Sequence, residues 1–242
     1  MRSASLRTRY IKVGLLFYVA WVVIFILEGF YAVKLPTSDP TLWIDLQIPV
    51  VAEFVWVYVS CYVFPFILLV ITSDWHRFNT ALWAILLCTL IAFLGHVAFP
   101  VAFVRPVLGS SPSEQFLRFI YDNDFKPGAQ NFPSLHVAIA WIVAFASRGQ
   151  GLRKSAERGI LLYAVLIILS TVLIKQHLVI DLLGGTVLAF IVWPLVKRVS
   201  DRMIAKGHDP LGALSSMLRP LAPVLAACSV SLALAIAARE LL

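Results

Sequence analysis

Two short histidine motifs in this chain have residue types and spacing that could carry chemistry. Pro133-Ser134-Leu135-His136 opens one apolar run, and His177-Leu-Val-Ile-Asp181 opens another about forty residues later. An imidazole titrates near neutral pH, so it can act as a nucleophile or transfer a proton. Asp181 follows His177 by four residues, which places both on one face of a helix, where the carboxylate can fix the imidazole tautomer. These groups suit attack on phosphorus by one histidine and protonation of the leaving oxygen by the other.

Donors that could bind an anion accompany both motifs. Arg105 ends the third apolar run, and Lys175 precedes His177 by two residues. A phosphoryl group in transfer spreads negative charge over its oxygens, and fixed donors around it supply most of the catalysis. Ser134 adds a hydroxyl at the start of a predicted helix, whose free N–H groups also favour an anion. These residues predict a phosphate site that needs neither a metal nor a cofactor.

The composition indicates that membrane helices must position these residues. Of the 242 residues 60% are hydrophobic and 14% are charged, and the mean hydropathy is +0.88. A span needs about 20 mostly apolar residues, so the chain has room for few structures besides spans. We expect an all-α, polytopic transmembrane helix bundle that forms a single membrane domain over residues 1–242. The apolar runs fall at about residues 11–33, 50–72, 80–104, 134–147, 159–174, 178–196 and 221–238. The first six are expected to be core spans, and the seventh a C-terminal span or an interfacial helix.

The basic residues indicate an orientation. If the N-terminus is cytoplasmic, fourteen of the twenty Lys and Arg residues fall in cytoplasmic segments, as the positive-inside bias requires. The other side keeps Lys34, Arg105, Arg118, Lys126, Lys175 and Arg239. Both histidine motifs then lie on the periplasmic or extracytoplasmic face, and the absence of a long glycosylated loop is compatible with a bacterial inner membrane. The net charge of +7 does not indicate nucleic acid binding, because the cations form short clusters between apolar runs.

Three motifs in order give a specific resemblance. They are Phe99-Pro100-x-Ala102-x-x-Arg105, Phe132-Pro133-Ser134-Leu135-His136-x-Ala138 and His177-x-x-x-Asp181. Over residues 95–190, the predicted catalytic core, the chain resembles the type 2 phosphatidic acid phosphatase superfamily, and the motif wording is most similar to the inositol phosphorylceramide synthase branch. The resemblance implies that His177 is a nucleophile forming a phosphohistidine, with Asp181 as its partner and His136 as the acid. It also implies that Arg105, Ser134 and Lys175 bind the substrate phosphate.

Two positions depart from the superfamily pattern. Ala98 stands where the first motif usually has lysine, and Thr171 stands where the third motif usually has arginine. Lys175 resembles the substitute used by the headgroup-transferase branch. These departures leave open whether a lipid phosphate or diphosphate is hydrolysed or whether a lipid headgroup is transferred to an acceptor.

Other residues and functions remain alternatives at this stage. Asn131 and Glu53 are candidates for contacts with a headgroup or an acceptor, although Asn131 lies in a segment typical of turns. The segment from Lys34 to Ile48 could roof the site or only connect two spans, and Gly184-Gly185 predicts close helix packing. A membrane transporter or proton relay also places ionisable residues in spans, but it predicts discontinuous helices and often repeated halves. A binding protein without catalysis would need only the cations.

Overall fold

The computed structural model describes residues 2–125 and 129–208. The described part of the chain falls into two compact units, one of Gly29–Arg198 and the other of residues 2–28 and 199–208. The predicted seventh run at 221–238 and Lys126 lie outside the described residues. All residues proposed for chemistry belong to the unit Gly29–Arg198.

The described elements are helical, in agreement with the all-α prediction. The α-helices are α1 (Arg2–Ala32), α2 (Trp43–Gln47), α3 (Val55–Val59), α4 (Ile67–Ile71), α5 (Trp75–Ala98), α6 (Pro112–Asn123), α7 (Leu135–Ser147), α8 (Lys154–Leu173) and α9 (Val179–Ala205). Short 3-10 helices at Ala52–Phe54, Ser60–Tyr62 and Phe64–Phe66 flank α3 and α4.

The predicted count of six or seven spans is not confirmed. Among the described residues, four helical segments are long and apolar enough to cross a membrane, namely Thr8–Ala32, Trp75–Ala98, Lys154–Leu173 and Val179–Ala205. The second apolar run is a pair of helical stretches, Ala52–Tyr62 and Phe64–Ile71, bent by 45°. If this pair is one broken span, the number rises to five.

Local sequence explains why two of the apolar runs form no uninterrupted long helix. In the second run, Pro65 lacks an N–H group and lies in the first turn of a 3-10 helix directly after the break. The fourth run forms α7, which begins after Pro133-Ser134 and is followed by Gly149 with φ +74°. Since α7 contains 13 residues, it extends only about 20 Å, which is less than a bilayer core.

Helix α7 lies at the centre of its unit and packs against both α5 and α8. Most of its apolar side chains are buried, including Val137, Ile142 and Val143. Gly184 and Gly185 allow α9 to approach its start, as predicted: a Cβ atom on Gly185 would lie 2.4 Å from the backbone oxygen of Ser134. The first turn of α7 and the junction between α8 and α9 therefore meet at one end of the helices.

The connection between α5 and α7 contains α6. A capping box begins this helix: the Ser111 hydroxyl accepts the Glu114 N–H, and the Glu114 carboxylate accepts the Ser111 N–H. Ser-Pro-x-Glu is a recognisable start signal, so the sequence did carry it. Leu117 on α6 packs with Val55, Tyr58 and Ile174, which joins α6 and α3 to the end of α8.

Candidate active site

The first histidine motif lies in the first turn of α7. Ser134 is the N-cap residue, and its hydroxyl accepts the Val137 N–H at 3.4 Å. The Ser134 N–H in turn donates to the backbone carbonyl of Asp181 at 3.2 Å, which attaches α7 to the start of α9. His136 follows two residues later. A backbone hydrogen bond thus joins the two motifs directly, independently of their side chains.

The second histidine motif occupies the tight junction between α8 and α9. Lys175 adopts φ +53°, a left-handed conformation that commonly ends helices. The Thr171 carbonyl accepts both the Gln176 and the His177 N–H groups. Thr171 itself is fully buried, and its hydroxyl donates to the Ile168 carbonyl. The residue that replaces the usual arginine is therefore part of the packed core. This turn directs the His177 side chain toward α7.

The two histidines and Ser134 converge on one nitrogen atom. Nε2 of His177 lies 3.0 Å from Nδ1 of His136 and 3.1 Å from Oγ of Ser134. His177 is 3% exposed, and Ser134 is fully buried. An atom that bound to Nε2 of His177 would therefore lie next to a second imidazole and a hydroxyl.

Asp181 orients the opposite side of the His177 ring. Its Oδ2 atom lies 3.3 Å from Nδ1 of His177 and accepts the Leu178 N–H at 2.9 Å. A carboxylate can only accept, so in the neutral ring Nδ1 of His177 carries the proton and Nε2 keeps its lone pair. Because that lone pair points at His136 and Ser134, the ring presents its nucleophilic nitrogen to the cluster.

Asn131 supports this carboxylate. Its amide donates to Oδ2 of Asp181 at 3.3 Å and to the Gln176 carbonyl at 3.0 Å, and the residue is 5% exposed. These contacts make Asn131 a neighbour of Asp181, whereas the sequence suggested a contact with a headgroup. Glu53, the other such candidate, is exposed in the 3-10 helix Ala52–Phe54.

Arg105 belongs to a polar network beside the histidines. Its guanidinium lies 2.5 Å from Oδ2 of Asp124 and donates to the Tyr121 carbonyl at 3.3 Å. Its Cζ atom also lies 4.2 Å from the centre of the Tyr121 ring. Gln176, one residue before His177, donates to the same Asp124 oxygen at 2.7 Å. Asp124 thus connects Arg105 to the histidine junction.

Lys175 is held by the segment that precedes the second apolar run. Its ammonium donates to the Asp45 carbonyl at 2.6 Å, and the Asp45 carboxylate accepts the Val179 N–H at 2.7 Å and the Leu42 N–H at 2.9 Å. Asp45 is 4% exposed. The segment therefore does more than connect two spans, because Asp45 binds both Lys175 and the start of α9. Burial lowers the pKa of Lys175, and the charge of Asp45 opposes that shift.

Tyr58 is a neighbour of the site that the sequence did not indicate. Its hydroxyl lies 3.3 Å from Nε2 of His136, and its side chain is 1% exposed. The two residues are 78 positions apart, so no local spacing could signal the contact. Within the described residues, the arrangement is a chain of contacts from Tyr58 through His136 and His177 to Asp181.

Comparison with known proteins supplies the family. The model of the PAP2 superfamily matches residues 38–195, which is more than half of the chain and contains every candidate site residue. Searches of curated proteins and of solved structures gave no significant match. The motifs that converge on Nε2 of His177 lie inside the matched range, and the chain belongs to the PAP2 superfamily.

Proposed function

We propose that this chain, an integral membrane protein, cleaves a phosphate ester of a lipid through a covalent phosphohistidine. The observation that carries the proposal is the position of Nε2 of His177, 3.0 Å from Nδ1 of His136 and 3.1 Å from Oγ of Ser134. Membership of the PAP2 superfamily supports an enzyme of the phosphatase or phosphotransferase kind. Hydrolysis of a lipid phosphate or diphosphate is our leading assignment, and transfer of a headgroup to a lipid acceptor is the alternative.

In the first half-reaction, Nε2 of His177 attacks phosphorus while the bond from phosphorus to the lipid oxygen breaks. His136, doubly protonated when the anionic substrate is bound, gives its Nδ1 proton to that oxygen. The phosphorylated His177 ring carries positive charge, and Asp181 stabilises it through Nδ1–H. Each group thereby has a role that its observed contact supports.

In the second half-reaction, water attacks phosphorus and the bond to His177 breaks. The proton of that water passes to Nδ1 of His136, which restores both histidines and releases inorganic phosphate. An acceptor hydroxyl in place of water gives headgroup transfer with the same proton balance. Hydrolysis and transfer differ only in the group that reaches phosphorus second.

Arg105, Ser134 and Lys175 are the proposed phosphate ligands. Ser134 already lies against Nε2 of His177, whereas Arg105 contacts Asp124 and Lys175 contacts the Asp45 carbonyl. We propose that phosphate binding draws the Arg105 guanidinium into an additional contact, since a guanidinium has five donors. The acceptor site, for which Glu53 remains a candidate, is not specified by these contacts.

We also propose that the site faces away from the cytoplasm. Arg77 donates to the Arg148 carbonyl, so the start of α5 and the end of α7 meet at the end of the unit opposite His136. Arg153 and Lys154 begin α8 at this same end. Because positive residues favour the cytoplasmic side, this asymmetry supports an extracytoplasmic site.

A transporter remains the alternative from another class, and it predicts discontinuous helices. The bent stretch Ala52–Ile71 is such a feature in the described part of the chain. However, Tyr58 from this stretch contacts His136, and His136 is one of the two histidines proposed to carry out phosphoryl transfer. The histidine contacts therefore favour an enzyme over a transporter.

The test is release of inorganic phosphate from dioleoyl phosphatidic acid by purified protein in detergent with EDTA. We expect turnover by the wild type, none by His177→Ala, and wild-type turnover by His208→Ala, which changes an exposed histidine. Unchanged turnover by His177→Ala would exclude the phosphohistidine mechanism. Absence of phosphate release together with headgroup exchange onto an added lipid alcohol would identify a transferase.

A further inference from the structure

Nε2 of His136, the ring atom that faces away from His177, has a buried hydroxyl as its neighbour. The Tyr58 hydroxyl lies 3.3 Å from it, and the two ring centres are 5.2 Å apart. Tyr58 projects from α3, in the helical stretch that precedes the bend. Its side chain packs with Leu117 and Ile174 as well as with His136, so its position is fixed by packing. The packing of Tyr58 therefore holds its hydroxyl next to Nε2 of His136.

A hydroxyl is suited to this position because it can both donate and accept. In the resting cluster the contacts fit neutral rings: Nδ1–H of His136 donates to Nε2 of His177, and Nε2 of His136 accepts from Tyr58. When His136 becomes doubly protonated, Nε2–H requires an acceptor, and the Tyr58 oxygen provides one by rotation of its hydroxyl hydrogen. No other atom has to move.

We propose that Tyr58 is the positioning residue of the acid His136, an inference that rests on the proposed function. By accepting Nε2–H, the Tyr58 oxygen keeps the proton that is transferred on Nδ1, toward His177 and the substrate. After Nδ1 has given its proton to the leaving oxygen, Nε2–H is still held, so the lone pair on Nδ1 faces the phosphohistidine. The same contact therefore sets His136 as acid in the first step and as base in the second.

The matched variants are Tyr58→Phe and Tyr163→Phe. Tyr163 on α8 donates its hydroxyl to Ser60 at 2.9 Å, so its change also removes one tyrosine hydrogen bond to the bent segment. Tyr163 packs against Phe64, away from His136. This control separates loss of a local hydrogen bond from loss of the His136 partner.

The first readout is the dependence on the leaving group. An alkoxide leaving from phosphatidic acid needs the proton of His136, whereas nitrophenolate leaving from 4-nitrophenyl phosphate does not. We expect Tyr58→Phe to lower kcat for phosphatidic acid about tenfold, with smaller loss for 4-nitrophenyl phosphate, because proton transfer contributes to one reaction only. Tyr163→Phe should keep wild-type rates for both. Equal loss for both substrates, or no loss, would overturn the inference.

The second readout does not require turnover. In protein labelled with nitrogen-15 in histidine, Nε2 of His136 should have the chemical shift of an unprotonated nitrogen that accepts a hydrogen bond. The signal is assigned by its absence from the spectrum of His136→Gln. That signal should move in Tyr58→Phe and stay in Tyr163→Phe. A proton on Nε2 in the resting wild type, or the same signal in Tyr58→Phe, would overturn the role of Tyr58. If wild type and His177→Ala were equally inactive, the proposed function would fail, and this measurement would still decide the contact.

Discussion

Nδ1 of His136 lies 3.0 Å from Nε2 of His177, although 41 residues separate them along the chain. The first ring stands at the start of α7, and the second at the junction of α8 and α9. Backbone hydrogen bonding between Ser134 and Asp181 holds these two places together. This relationship leads to several predictions about the groups that maintain it.

Asp181→Asn should lower kcat by about 10³-fold, because the amide can present N–H where the carboxylate accepts the His177 proton, favouring the wrong tautomer. Asn131→Ala removes only a supporting contact and should cost about tenfold. Steady-state rates on phosphatidic acid check both values, with size-exclusion profiles as the control for folding. Similar rates for Asp181→Asn and wild type would contradict the assigned tautomer.

Arg105→Ala should lower kcat/KM about a hundredfold, and Arg105→Lys should not restore it, because an ammonium cannot reproduce the planar fork. Asp124→Asn should give a smaller loss by releasing the guanidinium from its 2.5 Å contact. In a double-mutant cycle the two changes should be coupled by about 1 kcal/mol, since they act on one contact. Strict additivity would show that Asp124 does not position Arg105.

Asp45→Ala should destabilise the protein by about 2–3 kcal/mol, because it leaves the Val179 and Leu42 N–H groups without their acceptor. Asp39→Ala in the same segment is the matched control. Asp39 makes its contacts with Thr41 at the surface, so its loss should cost less than about 1 kcal/mol. Thermal unfolding in detergent measures both effects. Equal effects would contradict the prediction that Asp45 stabilises the fold by accepting these two N–H groups.

Lys175 should give stability a pH dependence of defined sign. Its pKa is lowered in the folded protein, chiefly by burial, so above the folded pKa the unfolded chain binds more protons than the native state. Stability of the wild type relative to Lys175→Met should therefore rise with pH, from the folded pKa up to the ordinary lysine pKa. Unfolding midpoints of both proteins from pH 7 to above pH 10 test this. A relative stability that falls over that window would contradict the direction of the shift.

Gly185→Ala should disrupt the site, because its Cβ would lie 2.4 Å from the Ser134 carbonyl, a backbone atom that cannot rotate away. We expect destabilisation of about 1–3 kcal/mol and a loss of kcat of about a hundredfold from displacement of Ser134 and His136. Gly159→Ala in α8 is the control, since nothing lies within 4 Å of its Cβ. It should stabilise by about 0.5–1 kcal/mol, as judged by thermal unfolding.

The sequence determined the features that depend on local periodicity and composition. The spacing of four residues between His177 and Asp181 correctly predicted that they pair, although His177 lies in the junction before α9 and not on the helix itself. Ser134 after a proline predicted the start of a helix, and the apolar runs predicted where helices would form. The capping box at Ser111 and Glu114 was also local, and it could have revealed α6.

Only the tertiary structure decided which distant groups meet. The contacts of Arg105 with Asp124, of Lys175 with Asp45 and of Tyr58 with His136 depend on how loops and helices pack. The number of uninterrupted long helices was also decided there, because the hydropathy of residues 50–72 does not distinguish a straight helix from one that bends near Pro65. Sequence periodicity specifies the face of a helix on which a residue lies, whereas packing specifies the residue that lies opposite.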